Sequence, residues 1–279
     1  MSDFELLARL ELAAASGLVH HGDSLYVVAD DALELVRTSV DGVGTERIPL
    51  ADLPPGATLI KKEKADLEAL LLLGDSLVVF GSGSKKKRRR GFVVGPSSTG
   101  SDRPVRELDL SPLYVDLERF FFNELNIEGA VVRDDEVLLA QRGNGERRLN
   151  ALIHLDRARF EADVAQGVIS PGSFRSVEAI TLPSLKGVPL SLTDLALGPG
   201  GELLCTAAAE ATDDPYLDGA VMGSVVAHIP RGAQPVVHAT IDVIKLEGLC
   251  FLANGELRLV ADPDEAGSKA PLFRLAWPR

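Results

Sequence analysis

Five times along the chain, two short apolar runs flank a turn rich in Gly, Asp or Asn, and this recurrence constrains the fold more than any other feature. The segments are SGLVHHGDSLYVVADD from Ser16, EALLLLGDSLVVFGSGS from Glu68, EGAVVRDDEVLLAQRGN from Glu128, DLALGPGGELLCTAAAE from Asp194 and EGLCFLANGELRLVADPD from Glu247. Their turns carry the residues that tolerate the left-handed backbone of tight hairpins. Both flanking runs are apolar on nearly every residue, which predicts strands buried on both faces. A third strand is predicted after each pair (LELVRTSV, RRRGFVVG, LNALIHLD, SVVAHIPR and LFRLAWPR). A fourth leads to the next repeat in RIPL, VRELDL, VEAITL and VVHATIDV. Four antiparallel strands per unit, repeated, describe the blades of a β-propeller.

The polar residues that open the repeats, Ser16, Glu68, Glu128, Asp194 and Glu247, stand 52, 60, 66 and 53 positions apart. Five units of this size account for residues 1–279 as a single all-β propeller domain of five blades. A six-bladed alternative needs a blade hidden between Glu128 and Asp194, where no sixth opening residue is seen. An irregular β-sandwich is the other alternative. The last unit ends after its third strand, and LLARLEL precedes Ser16 where fourth strands precede the other repeats. That N-terminal strand is therefore expected to complete the last blade, closing the ring and removing an open sheet edge.

In a propeller the innermost strands face a central channel and the loops of one rim form the usual site. The opening residues should ring one end of that channel, and four of the five are carboxylates. Crowded carboxylates raise one another's pKa unless compensated. A hard divalent cation, Ca²⁺ or Mg²⁺, is one compensator. Glu68, Glu128, Asp194 and Glu247 are thus candidate metal ligands, with Asp66, Asn126 and Thr193 as polar neighbours. The competing reading is structural: an acid repeated in every blade can accept backbone N–H bonds from the next blade.

A second repeated position follows the second apolar run, at Asp30, Ser82 to Ser84, Arg142 with Asn144, Glu210, and Asp262 with Asp264. GSGSKKKRRRG aligns here with RGNGERRLN, which makes Arg88 and Arg148 equivalent. Arg88, Arg142, Asn144 and Arg148 are candidate ligand-binding residues for a phosphate or carboxylate. The bland reading of the basic run Lys85–Arg90 is a solvated hairpin tip. LERFFFNEL, Leu117 to Leu125, reads as packing between blades. Cys205 and Cys250 fall in predicted inner strands and read as buried thiols. There is no nucleophile elbow, P-loop or dinucleotide fingerprint.

With 29 basic and 41 acidic residues the formal charge is −12, which argues against nucleic-acid binding. No apolar stretch approaches a membrane span, and MSDFELLARL lacks a basic region ahead of an apolar core. With only two cysteines, the cytoplasm is the expected location. A small-molecule or protein partner is left open.

The strings LEAL, IEGA and LEGLCF resemble those of bacterial phytase-like or esterase-like propeller proteins, in which such motifs precede an inner strand. The repeats also resemble lactonase-type propellers, whose channel carboxylates hold a divalent metal that polarises an ester. Carried onto this chain, that resemblance implies Glu68, Glu128, Asp194 and Glu247 as ligands. Two functions follow as expectations: a ligand-binding or scaffolding propeller using its channel and rim, or a metal-dependent hydrolase of lactonase or phosphoesterase type. No catalytic constellation decides between them.

Overall fold

The protein is a five-bladed β-propeller. The computed structural model describes residues 4–51, 66–96, 103–144, 147–211, 219–263 and 267–277; Asp264 lies outside them. Each blade is a four-stranded antiparallel sheet whose strands run outward from the channel in chain order. Blade 1 comprises Ala15–His21, Ser24–Ala29, Glu34–Ser39 and Glu46–Pro49. Blade 2 comprises Leu67–Leu73, Ser76–Gly81, Arg90–Val94 and Val105–Asp109. Blade 3 comprises Ile127–Arg133, Glu136–Gln141, Asn150–Asp156 and Phe174–Ile180. Blade 4 comprises Ser191–Leu197, Leu203–Ala211, Ala220–His228 and Val236–Asp242. Blade 5 takes Lys245–Phe251, Leu257–Asp262 and Ala270–Leu275 from one end of the chain and Phe4–Leu10 from the other. Phe4 pairs with Leu275 and Leu10 with Ala270, so the N-terminal strand closes the ring as the sequence predicts.

Apolar residues on both faces of these strands build five separate cores, one at each junction between neighbouring blades. Tyr26, Val28 and Leu35 of blade 1 meet Leu70, Leu77 and Val79 of blade 2. Leu10, Leu18 and Val27 meet Val260 and Leu272 at the closing junction. The other three junctions repeat the arrangement. This is why the inner strands read as continuous apolar runs: there is no solvent face to alternate with. Cys205 and Cys250 are free, buried and part of this packing. Burial pushes the Cys205 thiol up to about 12.

Two helices depart from the regular blade. Helix α1, Ser111–Phe120, follows blade 2 and buries Leu113, Tyr114 and Leu117. Helix α2, Arg157–Gln166, lies between the third and fourth strands of blade 3 and buries Phe160 and Val164. Both thicken the junction between blades 2 and 3. Helix α2, with the short hairpin Ser184–Leu185 and Val188–Pro189, explains the longest interval in the repeat without a sixth blade. Of the three phenylalanines in LERFFFNEL, only Phe122 is buried; Phe120 and Phe121 are exposed.

Candidate functional site at the channel mouth

Every inner hairpin breaks its register at its start. The pairing skips Ser16 and Gly17 in blade 1, Glu68 in blade 2, Glu128 in blade 3, Thr193 in blade 4 and Glu247 in blade 5. Such a β-bulge leaves one extra residue unpaired and re-aims its side chain. The residue after the bulge, which packs against the neighbouring inner strand, is small in four blades. A Cβ on Gly129 would stand 2.8 Å from the Leu195 nitrogen, and one on Gly248 would stand 2.5 Å from the Ser16 carbonyl oxygen.

The fourth blade holds Asp194 at this second position, so its bulge residue is Thr193. Blades 4 and 5 share a longer turn: Leu197 pairs with Leu203 and Phe251 with Leu257, whereas blade 3 closes in two residues between Arg133 and Glu136. Counting back from the turn at the spacing of blades 1 to 3 therefore lands one residue late in blade 4. Asp194 is completely buried. Its carboxylate accepts from the backbone N–H of Leu195 at 2.8 Å, of Leu249 in blade 5 at 2.9 Å, and of Leu18 in blade 1. Burial pushes its pKa well above the carboxylate range, against the pull of those N–H groups. Acting as a metal ligand would require it to give up bonds that join three blades. The Thr193 hydroxyl donates to the Leu246 carbonyl at 2.7 Å and pins blade 4 to blade 5.

Antiparallel pairing carries the ends of the second strands to the same rim, one step further out: Ala15 faces Ala29, Ile127 faces Gln141 and Lys245 faces Asp262. Among the described residues the mouth thus collects Asp30, Asp66, Glu68, Glu128, Glu210, Glu247 and Asp262, seven carboxyls, against Arg88, Arg142 and Lys245. These charges are not evenly mixed.

On the side of blades 3 to 5, acids and cations interleave. The Arg142 guanidinium is buried and contacts Glu128 at 3.2 Å, Glu210 at 2.5 Å and Glu247 at 3.8 Å. Lys245 contacts Glu247 at 2.9 Å, Glu210 at 3.5 Å and Asp262 at 3.8 Å. Asn126 donates to Glu128 at 2.6 Å and lies 3.4 Å from the Asn144 carbonyl oxygen. Burial pushes Glu128 up to about 8, with Arg142 pulling down and Glu247 pushing up. Burial opposes the charge on Glu210 as well, but Arg142 and Lys245 outweigh it and hold that carboxyl low. Lys245 was not recognised in the sequence; its signal is a lysine one residue before LEGLCF, where an apolar inner strand should already have begun.

On the side of blades 1 and 2, acids converge. One oxygen each from Asp30, Asp66 and Glu68 lie within 4.8 Å of one another. Asp66 sits at φ +55, a backbone region that Asp tolerates better than most residues. Its Oδ2 is held by the hydroxyls of Ser82 and Ser84 and by Arg88 at 2.8 Å. The Ser16 hydroxyl donates to Glu68 at 2.9 Å. Burial raises Asp66, opposed by Arg88. Burial raises Glu68 further, reinforced by the charges of Glu128, Asp66, Asp30 and Glu247. Protein surrounds Glu68 closely, yet Glu68 and Asp30 both keep solvent-exposed surface. That combination is expected of groups lining an open channel.

The candidate ligand-binding residues therefore separate. Arg88 turns inward onto Asp66, while Arg142 and Asn144 belong to the Glu128 group. Arg148 is exposed, at φ +47, beside Phe121, Phe122 and Arg147. The equivalence of Arg88 and Arg148 in the alignment does not carry into space: Arg88 ends a short 3₁₀ turn, Lys86–Arg88, and pairs with Asp66.

A family model described as a family of unknown function, DUF6929, matches residues 11–276. The chain belongs to the DUF6929 family. No curated protein sequence matches this DUF6929 chain. Among solved structures it resembles a luciferin-regenerating enzyme at 10% identity and TM-score 0.53, covering 98% of this chain and 95% of that one. It also resembles the glutaminyl cyclase of Myxococcus xanthus at 13% identity and TM-score 0.53, over 99% and 97% of the two chains. The soluble aldose sugar dehydrogenase of Escherichia coli aligns over 100% of both chains at 11% identity and TM-score 0.52. At these identities the likeness to the DUF6929 chain is one of fold. None of the three is a phytase. Among the described residues of the DUF6929 chain, no helix is long and apolar enough to cross a membrane.

Proposed function

We propose that this propeller binds a small polar ligand at the channel mouth around a divalent cation seated on Asp30, Asp66 and Glu68. The observation that carries the reading is the convergence of these three carboxylates within 4.8 Å, beside Arg88. Calcium accepts oxygen ligands at about 2.4 Å, so one ion can touch all three groups, with waters and the hydroxyls of Ser16, Ser82 or Ser84 completing its shell. The cation would also relieve the repulsion that lifts the pKa of Glu68. The ligand set differs from the one expected from the repeat. Glu128 and Glu247 have cationic partners of their own, and Asp194 is occupied by backbone N–H groups.

Adding Ca²⁺, Mg²⁺ or Mn²⁺ to metal-free protein at pH 8 should raise the melting temperature by several degrees. Saturation at about 100 Kd is worth about 2.7 kcal/mol. Asp66→Asn and Glu68→Gln should abolish the rise while leaving the fold intact by circular dichroism. No rise with any of the three ions would end this reading.

One observation favours the hydrolase as a second reading: Glu128, pushed up to about 8, exchanges a proton near neutral pH on the same ring as the cation site. It requires metal-dependent turnover in a panel of esters, lactones and phosphoesters, lost in Glu128→Gln. Turnover that survives in Glu128→Gln, or none at all, removes it.

A further inference from the structure

The basic run that reads as a solvated tip does two different things. Arg88 turns toward the channel and clamps Asp66, whereas Lys86, Lys87, Arg89 and Arg90 line a separate depression on the same rim. This cleft has a volume of about 410 Å³ and is lined by Lys86, Lys87, Arg89 and Arg90, with Glu107 and Ser111 among its other walls. Pairing of Arg90 with Asp109 across the two outer strands of blade 2 fixes the floor of the cleft, and helix α1 rises beside it.

Four cations around one depression are unusual in a chain of formal charge −12. The carboxylates nearby offset them only in part: Asp109, Glu107 and Glu118 stand against the four cations. Asp109 also lines the cleft but spends one oxygen on the Ser111 N–H at 2.9 Å. Glu118 holds one terminal nitrogen of Arg89 at 2.5 Å, which positions that side chain. Glu107 is exposed and reaches the half-buried Arg90 only at 3.9 Å, a pair of little energetic worth that an incoming anion can displace. Lys86 and Lys87 are exposed. The N-terminus of α1 adds nothing: Asp109 takes the Ser111 N–H, residue 112 is proline, and the N–H groups of Leu113 and Tyr114 bond to Ile169 and Leu110.

We propose that this cleft is a second ligand site, distinct from the channel mouth, and that it takes the phosphate or pyrophosphate group of a small phosphorylated molecule. Guanidinium forks match phosphate oxygens in paired hydrogen bonds, and ammonium groups add mobile point charges. The volume accommodates a ligand larger than phosphate itself. Because the cleft owes nothing to Asp30, Asp66 or Glu68, this site stands or falls separately from the cation site.

The test is titration of the full-length protein with inorganic pyrophosphate, in EDTA without divalent ions, read by calorimetry and by melting temperature. Saturable binding is expected, weakened at least tenfold in the surface double variant Lys86→Ala/Lys87→Ala and in Arg90→Gln, and unchanged in Asp66→Asn. Sodium chloride at matched ionic strength should not reproduce the stabilisation. The proposal is overturned by the absence of saturable binding, by equal binding to the double variant, or by an equal effect of sodium chloride. A loss of binding in Asp66→Asn comparable to that in Arg90→Gln would also overturn it, by moving the pyrophosphate to the channel mouth.

Discussion

The two halves of the channel mouth use the same backbone device for opposite ends. In blades 2, 3 and 5 a β-bulge presents a glutamate toward the axis. Around Glu128 and Glu247 the sequence supplies Arg142 and Lys245, and the outcome is a cross-braced network linking three blades. Around Glu68 it supplies Asp30 and Asp66, and Arg88 pairs with Asp66, so three carboxyls converge there. In blades 1 and 4 the bulge carries a hydroxyl instead, whose bond runs to the neighbouring blade. The bulge is thus a fixed mounting point. Whether a blade contributes to the scaffold or to a site depends on which cations stand beside it.

The largest effect should come from making the matched half unmatched. Arg142→Ala leaves Glu128, Glu210 and Glu247 without their shared cation and should cost about 3–5 kcal/mol by urea denaturation, the usual range for breaking a buried ion pair. Arg88→Ala, on the acid-rich half, should cost clearly less and should tighten the binding of Ca²⁺. Equal losses in the two variants would erase the distinction between the halves.

An intermediate effect is expected at Asp194, which bonds backbone rather than charge. Asp194→Ala strands the N–H groups of Leu195, Leu249 and Leu18 and should cost about 2–3 kcal/mol. It should leave the response to divalent ions as it is in the parent protein. If that response disappears instead, Asp194 belongs with the cation ligands.

The smallest effect is a dependence on pH. Glu128 titrates at about 8 in the folded chain against a value of 4.5 for an ordinary glutamate. Between those values the folded state binds more protons than the unfolded one. The stability contribution is therefore complete below about pH 4.5 and declines as pH rises through about 8. Glu68 acts in the same direction. The melting temperature of metal-free protein should fall between pH 5 and pH 8.5. Glu68→Gln should flatten that slope and raise stability at pH 8. A melting temperature that climbs over this range would mean that cations neutralise the acid half as fully as the other.

The blades and their closure were legible because turn chemistry and doubly buried strands leave a strong periodic mark in a chain. The bulge ring was legible only up to register. Asp194 stands nine positions before Leu203, matching the spacing in blades 1 to 3, but a longer turn moved the true equivalent to Thr193. Turn length and bulge position trade off in a linear count, and only pairing separates them. The helices left local signals that the repeat obscured. Asp156 caps α2 by accepting from the Arg159 N–H, and Gly167 ends it at φ +83, both recognisable start and stop residues. The division of the mouth was invisible in sequence. Lys245 and Arg142 lie more than a hundred residues apart, and only ring closure brings both to Glu247.

Closure has a kinetic side as well. Among the described residues Phe4–Leu10 pairs with Ala270–Leu275 alone, so the most distant contacts along the chain are also the ones that seal the ring. Loop-closure entropy and the order of synthesis both place that pairing last. Until it forms, the third strand of blade 5 has a free edge and the first strand has no sheet. A nascent chain in this interval is an open spring of blades, exposed to wrong edge pairing with another copy. The slow step in refolding should therefore be the meeting of the two ends, after the individual blades have formed.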